Sequence, residues 1–284
     1  MSEKPVVVAQ ISDLHIKAPG SLAYGCVDTA KALERCVATL NALDPSPDVV
    51  VISGDLADTP TPEEYAHLAR LLQPLKLPHA AVPGNHDSRE LMRAAFPNAP
   101  YAFASGPLDQ KIQVGNLDVG NLDLLLLDSS VHGKPHGELG GPTLQWLETA
   151  LASSTHRPAL VFLHHPPFVA GIWHMDRQNL QNADALAAIV RRHPRVQLIA
   201  CGHVHRATLT MFAGRPCTIC PAPNHAVDLD LAHLREPSFK VEPPALHLHV
   251  WFPGEGLGTL VTHQVPIGDF DGPHPFFGPD GKLL

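Results

Sequence analysis

The chain lacks any uninterrupted apolar run of about 18 residues, so nothing in its 284 residues reads as a transmembrane helix. It also lacks a basic start followed by an apolar stretch. Met1 to Lys4 lead through Pro5 straight into Val6-Val7-Val8, and no secretion signal is evident. Charged residues are scarce, 17% against about 25% in soluble domains. Their balance is acidic, with a formal net charge of −8, which argues against a nucleic-acid polymer as partner. With neither a span nor a basic excess, no membrane partner is expected. Cysteine is sparse and odd in number, five in all, which fits a reducing compartment better than a disulfide framework. Cys217-x-x-Cys220 has no second pair, so a four-cysteine zinc site is excluded and the two are read as structural thiols. A cytoplasmic protein is the expectation. Pro (29) and Gly (21) together fall short of the roughly 25–30% that marks low-complexity chains. No Gly-x-Ser-x-Gly segment is present, so the serine-nucleophile elbow is absent as well.

What is present is a core and a surplus of histidine. Hydrophobic residues make up 44%, enough to bury a sizeable interior as one large domain or two small ones. Short β-branched runs recur at Pro5–Ile11, Asp48–Ile52, His79–Val82, Leu122–Leu127, Ala159–Leu163 and Val196–Ala200. Runs of this kind read as strands buried on both faces. Helical patterns lie between them at Asp28–Leu43, at Thr61–Leu72 behind a capping box with proline at N1, at Thr143–Leu151 and at Asn179–His193. Strands alternating with helices predict an α/β layered fold. The tandem pentapeptide Val-Gly-Asn-Leu-Asp at 114–118 and 119–123 is read as a hairpin or a local duplication. From about Pro221 the alternation stops, and short β segments follow. These are expected to cap the site, to join a second sheet or to make a dimer contact.

Five of the strand-like runs end just before a residue able to bind metal: Asp13, Asp55, Asn85-His86, His164 and His203. In layered α/β folds the carboxyl ends of strands gather at one edge, so topology would bring these distant positions together. Asp13-Leu14-His15 and His203-Val204-His205 each put two donors on one side of an extended segment. Asp13, His15, Asp55, Asn85, His164, His203 and His205 form a mixed nitrogen and oxygen set without thiolate. Such a set suits Mn, Fe, Co, Ni or Zn rather than Ca. Seven donors exceed what one open catalytic ion needs, and they suffice for two if one carboxylate bridges. Two ions about 3.5–4 Å apart are the arrangement used for phosphoester displacement.

In order along the chain, Asp13-x-His15, Gly54-Asp55, Gly84-Asn85-His86-Asp87, His164-x-Pro166 and Gly202-His203-x-His205 resemble the motifs of the calcineurin-like metallophosphoesterase superfamily. The likeness spans roughly residues 5–215. Ile11 to His15, Leu22-x-Tyr24-Gly25-x-Val27-Asp28, Asp128-Ser129-Ser130 and His164 to Pro167 resemble the branch of class III cyclic-nucleotide phosphodiesterases and glycerophosphodiesterases. The resemblance implies an α/β/β/α sandwich, with a catalytic domain over 1–220 and a small C-terminal β appendage over 221–284. It implies two divalent ions (Mn, Fe, Zn or Co), one held by Asp13, His15, Asp55 and His205 and the other by Asp55, Asn85, His164 and His203. It implies hydrolysis of small phosphodiesters, whether 3′,5′-cyclic nucleotides, glycerophosphodiesters or other alkyl and aryl diesters, by a metal-bridged hydroxide. His86 and Asp87 would be catalytic, Asp87 orienting His86, and Asn85, His86 and His225 would contact substrate. Homo-oligomerisation through the C-terminal segment is a further expectation. The alternatives are a phosphomonoesterase of the same superfamily and a non-catalytic scaffold with this fold.

Most of the 19 histidines carry no motif and are read as packed or surface residues. His165 is assigned to packing or to a place behind the ligands, and His247 and His249 to an alternating strand face. Asp128 is read either as a site residue or as a turn cap.

Overall fold

The computed structural model describes residues 4–115, 122–154 and 156–284. The chain runs through β1 (Val6–Ile11), α1 (Thr29–Ala42), β2 (Val49–Ser53), α2 (Pro62–Leu72), β3 (His79–Val82) and α3 (Arg89–Ala95). It continues through β4 (Gln110–Val114), β5 (Leu122–Leu127), α4 (Gly141–Ala152), β6 (Ala159–Leu163), a single turn α5 (Trp173–Asp176), α6 (Ala183–Arg192) and β7 (Val196–Cys201). Six further strands follow: β8 (Thr208–Phe212), β9 (Arg215–Ile219), β10 (Ala226–Val227), β11 (Phe239–Lys240), β12 (Ala245–Phe252) and β13 (Thr259–Pro266).

β1, β2, β5 and β6 are buried at every position, as strands covered on both faces must be. Successive residues point to opposite faces, and the packing follows that alternation. Val6, Val8, Val49 and Val51 face Leu124, Leu126, Leu160 and Phe162 across the space between two sheets. Ile11, Val50 and Ile52 turn outward onto Leu33, Val37 and Leu40 of α1 and Leu68 of α2. Leu125, Leu127, Val161 and Leu163 turn the other way, onto Leu147 of α4 and Leu186 of α6. The result is a four-layered α/β/β/α sandwich, the arrangement that the family resemblance implies. One sheet has the order β13-β12-β1-β2-β3 and the other β4-β5-β6-β7-β9-β8.

The C-terminal strands β12 and β13 complete the first sheet, β12 running antiparallel to β1 from Val6↔Trp251 to Gln10↔His247. The two-stranded β10–β11 ribbon stands apart from both sheets. β4 and β5 pair antiparallel up to Val114↔Leu122, as the arms of a hairpin would. The rest of the duplicated pentapeptides, 116–121, lies outside the described residues.

Local signals set the helix starts. Asp28 caps α1 by accepting from Lys31 N at 2.9 Å, and Thr61 Oγ1 accepts from Glu64 N at 3.3 Å at the head of α2. The capping box is only half formed, because the Glu64 carboxylate accepts from Thr59 N at 2.8 Å rather than from Thr61. α6 begins at Ala183, four residues later than the periodicity suggests. Asn179 is drawn instead to the preceding loop, donating to Phe168 O at 2.7 Å. Among the described residues, no helix is long and apolar enough to cross a membrane.

Candidate metal centre

β1, β2 and β3 are parallel in one sheet, and β6 and β7 are parallel in the other. Their carboxyl ends meet at one edge, and the loops leaving them are tied together. Asp13 N donates to Gly54 O at 3.0 Å, His15 N to Asp55 O at 2.9 Å and Gly202 N to His164 O at 3.0 Å. Asp13, His15, Asp55, His203 and His205 all have positive φ, between 47° and 75°. That conformation is unfavourable for residues bearing a Cβ and is retained only where the surroundings over-determine it. Three glycines allow the close approach. A Cβ on Gly54 would fall on the His164 ring, one on Gly84 on the Asp55 carboxylate, and one on Gly202 on the Ser12 hydroxyl.

The side chains converge on Asp55. Its Oδ2 lies 3.6 Å from His15 Nε2 and 3.3 Å from His164 Nε2. On one side His205 Nε2 lies 3.2 Å from His15 Nε2 and 3.3 Å from Asp13 Oδ1. On the other, His203 Nδ1 lies 3.3 Å from His164 Nε2. Both carboxylate oxygens of Asp13 accept from His203 N, at 3.0 and 3.1 Å, and join the two sides. Asn85 stands beside them, and its Oδ1 is buried without a hydrogen-bond partner.

The donor set fits divalent ions. His15 Nδ1 donates to Asp58 Oδ1 at 3.1 Å, His164 Nδ1 to Ser53 O at 2.8 Å and His205 Nδ1 to His225 O at 3.2 Å. An imidazole that gives its Nδ1 proton to an oxygen behind it presents a bare Nε2 in front, the usual way a metal-binding histidine is oriented. Two bare nitrogens 3.2 Å apart, as in His15 and His205, repel each other unless a cation or proton lies between them. The buried, unpartnered Asn85 Oδ1 has the same need.

Charge follows geometry. Burial raises Asp13 to about 6, against the pull of His164. Burial would raise Asp55 too, but the charges on His164 and His86 outweigh it and hold the carboxyl well below its ordinary value. Without an ion, His164 is raised to about 9 against burial, chiefly by Asp55, so that a proton on Nε2 takes the place a cation would fill. Burial pushes His203 and His205 well below the usual imidazole range, which keeps them neutral.

Other expected residues fall in different places. His86 lines the cleft beside the ligands, but Asp87 does not orient it. The ring is held by Asp58, whose carbonyl oxygen accepts from His86 Nδ1 at 2.7 Å. Asp87 turns the other way and accepts from Leu56 N, Ala57 N, Gly84 N and Tyr65 Oη at 2.8–3.2 Å, pinning the loop that carries Asp55. A carboxylate facing so many amides has no lone pair left for the neighbouring ring. His225 is buried in the cleft, its ring 4.5 Å from that of His205, and burial lowers it to about 2. His165 bonds Ser129 Oγ through Nδ1 at 2.8 Å and packs against His203. Asp128 is a structural anchor, gripped by the Arg89 guanidinium at 2.6 and 3.0 Å. His249, on β12, is hydrogen-bonded between Gln10 of β1 and Thr262 of β13.

Sequence reasoning missed Asp58, Tyr24 and Asn224. A ligating imidazole needs an acceptor behind it, but Asp58 lies 43 residues from His15 and no spacing rule singles it out. Asn224, which donates to Asp13 O and Leu14 O at 2.9 and 3.0 Å, carries no signal either.

Comparison with known proteins identifies the family. The calcineurin-like phosphoesterase family model matches residues 6–207. A probable glycerophosphodiester phosphodiesterase GpdQ of Arcobacter nitrofigilis is 38% identical over 280 residues, 98% of this chain and 100% of the relative. The 3′,5′-cyclic adenosine monophosphate phosphodiesterase CpdA of Escherichia coli K12 is 32% identical over 220 residues, 78% of this chain and 77% of the relative. Among solved structures, a dimetal phosphatase from Danio rerio shares the fold, with a TM-score of 0.63 and 13% identity over 93% of this chain and all of that one. The chain belongs to the calcineurin-like phosphoesterase family, in the branch that holds bacterial glycerophosphodiester and cyclic-nucleotide phosphodiesterases.

Proposed function

We propose that this chain hydrolyses small phosphodiesters with two divalent ions. Asp13, His15, Asp55 and His205 would hold one, and Asp55, Asn85, His164 and His203 the other. The observation that carries the reading is the convergence on Asp55 Oδ2, with His15 Nε2 at 3.6 Å and His164 Nε2 at 3.3 Å. Ions in those places supply Lewis acidity toward phosphoryl oxygens and a water made nucleophilic near neutral pH. Mn, Fe, Zn or Co are the candidates that suit the nitrogen and oxygen donors. The names of the GpdQ and CpdA relatives support a diester as substrate.

The chain's own residues do the rest. Donation of His86 Nδ1 to Asp58 O leaves Nε2 to face the substrate, and a ring carrying a second proton there would donate it to a phosphoryl oxygen or to a departing alkoxide. Asn85, His86 and His225 are the proposed substrate contacts. Asp87 acts at one remove, by fixing the Leu56 and Ala57 amides of the loop behind Asp55.

The catalytic unit is assigned to 1–220 and the sheet-completing segment to 221–284, with Asn224 and His225 reaching back from the second to the first. Phe276, Phe277, Leu283 and Leu284 are exposed in that segment and support a contact between copies there, which sedimentation would detect. The cytoplasm is the proposed compartment, in keeping with five free cysteines.

The decisive experiment removes metal with EDTA and restores it with Mn²⁺, following bis(p-nitrophenyl) phosphate and p-nitrophenyl phosphate side by side. Loss and recovery of diester hydrolysis is expected. Activity persisting in metal-free protein would refute the reading, and a strong monoester preference would replace it with a phosphomonoesterase.

A further inference from the structure

Beside the ligands lies a cavity of about 380 Å³ whose lining extends well beyond them, to Tyr24, Met175, His225 and Phe239. Three of these form one aromatic surface. The Tyr24 and Phe239 rings are 4.8 Å apart and tilted by 36°, and each meets the His225 ring at 5.2 Å. His225 in turn touches His205, so the surface runs unbroken from the ligand cluster to the half-exposed Tyr24.

This wall is fixed in place before any ligand arrives. Phe239 pairs with Val227 across the β10–β11 ribbon. Arg206, the residue after His205, donates through Nε to Val227 O at 2.6 Å and pairs with Glu242. Asp228 holds the ribbon through Lys240 at 2.8 Å and Arg235 at 2.9 Å. Tyr24 sits at φ 51° in a tight turn closed by mutual Ala23 and Val27 backbone bonds of 2.9 Å.

The charge of the cleft is as telling as its shape. No lysine or arginine lines it. Lys17 is paired with Asp58 and Glu64, Arg206 with Glu242, and Arg235 and Lys240 with Asp228, while the exposed Arg177 next to Gln178 is not among the lining residues. A second cavity of about 430 Å³ shares Asn85 and contains Arg89, but that guanidinium is taken by Asp128. An anionic group on an arm lying against the aromatic wall, away from the metal ligands, would therefore meet no lysine or arginine in the lining. Aromatic faces carry a negative quadrupole, which attracts cations and other rings and repels anions.

We propose that the Tyr24–Phe239 cleft is the subsite for one alcohol arm of the diester, and that it selects an arm presenting an aromatic or cationic face and rejects an anionic one. Tyr24 and Phe239 are then specificity-determining residues. The inference rests on the diesterase reading above and adds the chemistry of the arm.

The test compares three diesters that share a p-nitrophenyl leaving group and differ in the other arm: phenyl, choline or 4-carboxyphenyl. Each is measured with the Mn²⁺-loaded enzyme. The phenyl and choline arms should exceed the carboxyphenyl arm about tenfold or more in kcat/KM, an effect carried by KM. Phe239→Leu should lower the phenyl and choline values by roughly three- to tenfold, the size of one aromatic contact. Phe239→Lys should raise the carboxyphenyl value while lowering the choline value. Equal kcat/KM for all three arms, or a Phe239 substitution that changes all three by one factor, would overturn the subsite. Failure of the enzyme to turn over any of the three would overturn the diesterase reading instead. The wild-type comparison needs no variant to fold.

Discussion

Asp55 Oδ2 lies 3.3 Å from His164 Nε2, although β2 and β6, the strands that deliver the two residues, belong to different sheets. The same oxygen is 3.6 Å from His15 Nε2, so one carboxylate faces both halves of the ligand set. Asp55→Ala should therefore cost both ions. Metal per chain, read by mass spectrometry after dialysis, is expected to fall from about two to well below one. The rise in melting temperature on adding Mn²⁺ should vanish with it. Retention of one full equivalent would mean that Asp55 serves a single ion.

His86 is held by a backbone carbonyl and lines the cleft, which separates its task from metal binding. His86→Ala should keep its metal and lose roughly 10²–10⁴ in kcat, the usual contribution of a positioned acid or base. Metal loss equal to that of Asp55→Ala would place the ring among the ligands.

Asp58 accepts from His15 Nδ1 at 3.1 Å and pairs with Lys17 at 2.9 Å. Burial opposes its charge, but the hydrogen bonds from His15 and Lys17 hold its carboxyl far below the ordinary value. It is thus a firm anionic acceptor that keeps the His15 proton on Nδ1. Asp58→Ala should weaken metal binding by about 10–100-fold, the common effect of removing such a partner. Excess Mn²⁺ should recover most of the activity. An unchanged dissociation constant in a chelator competition would count against this role.

The layers and the meeting of the candidate ligands at one edge could be read from the sequence because both rest on local signals that tertiary contacts reinforce. Each of β1, β2, β6 and β7 is a short apolar run, and Asp13, Asp55, His164 and His203 sit one or two residues past its end. Gly54, Gly84 and Gly202 precede ligands because only a residue without Cβ fits so close to them. The orientation of His86 was not legible. Its acceptor is a main-chain oxygen 28 residues away, and nothing in a side-chain pattern reports a carbonyl. The aromatic wall was hidden for a similar reason. Tyr24 and Phe239 meet only because the β10–β11 ribbon folds back over the site. The site-covering and sheet-completing parts of the C-terminal segment are separated by a few residues, and β-like alternation does not tell them apart.

One buried acid outside the site makes a prediction about pH. Asp109 is fully buried and accepts from Asp128 N and Thr143 Oγ1, both at 2.7 Å, joining β4's approach to α4. Burial outweighs these hydrogen bonds and raises its carboxyl to about 6. In the unfolded chain the group titrates near 3.9. A carboxyl raised in the folded state favours folding while it is protonated. Its contribution is complete below about pH 3.9 and is lost as pH rises through about 6. At pH 5 roughly 1 kcal/mol of it remains, and by pH 8 almost none. Asp109→Asn keeps an acceptor oxygen and cannot ionise, so it removes this dependence. Urea unfolding of the two proteins at pH 5 and pH 8 should show wild type losing about 1 kcal/mol relative to the variant across that interval. A gap of the same size at both pH values would mean that Asp109 stays ionised in the folded protein, its amide and hydroxyl donors prevailing over burial.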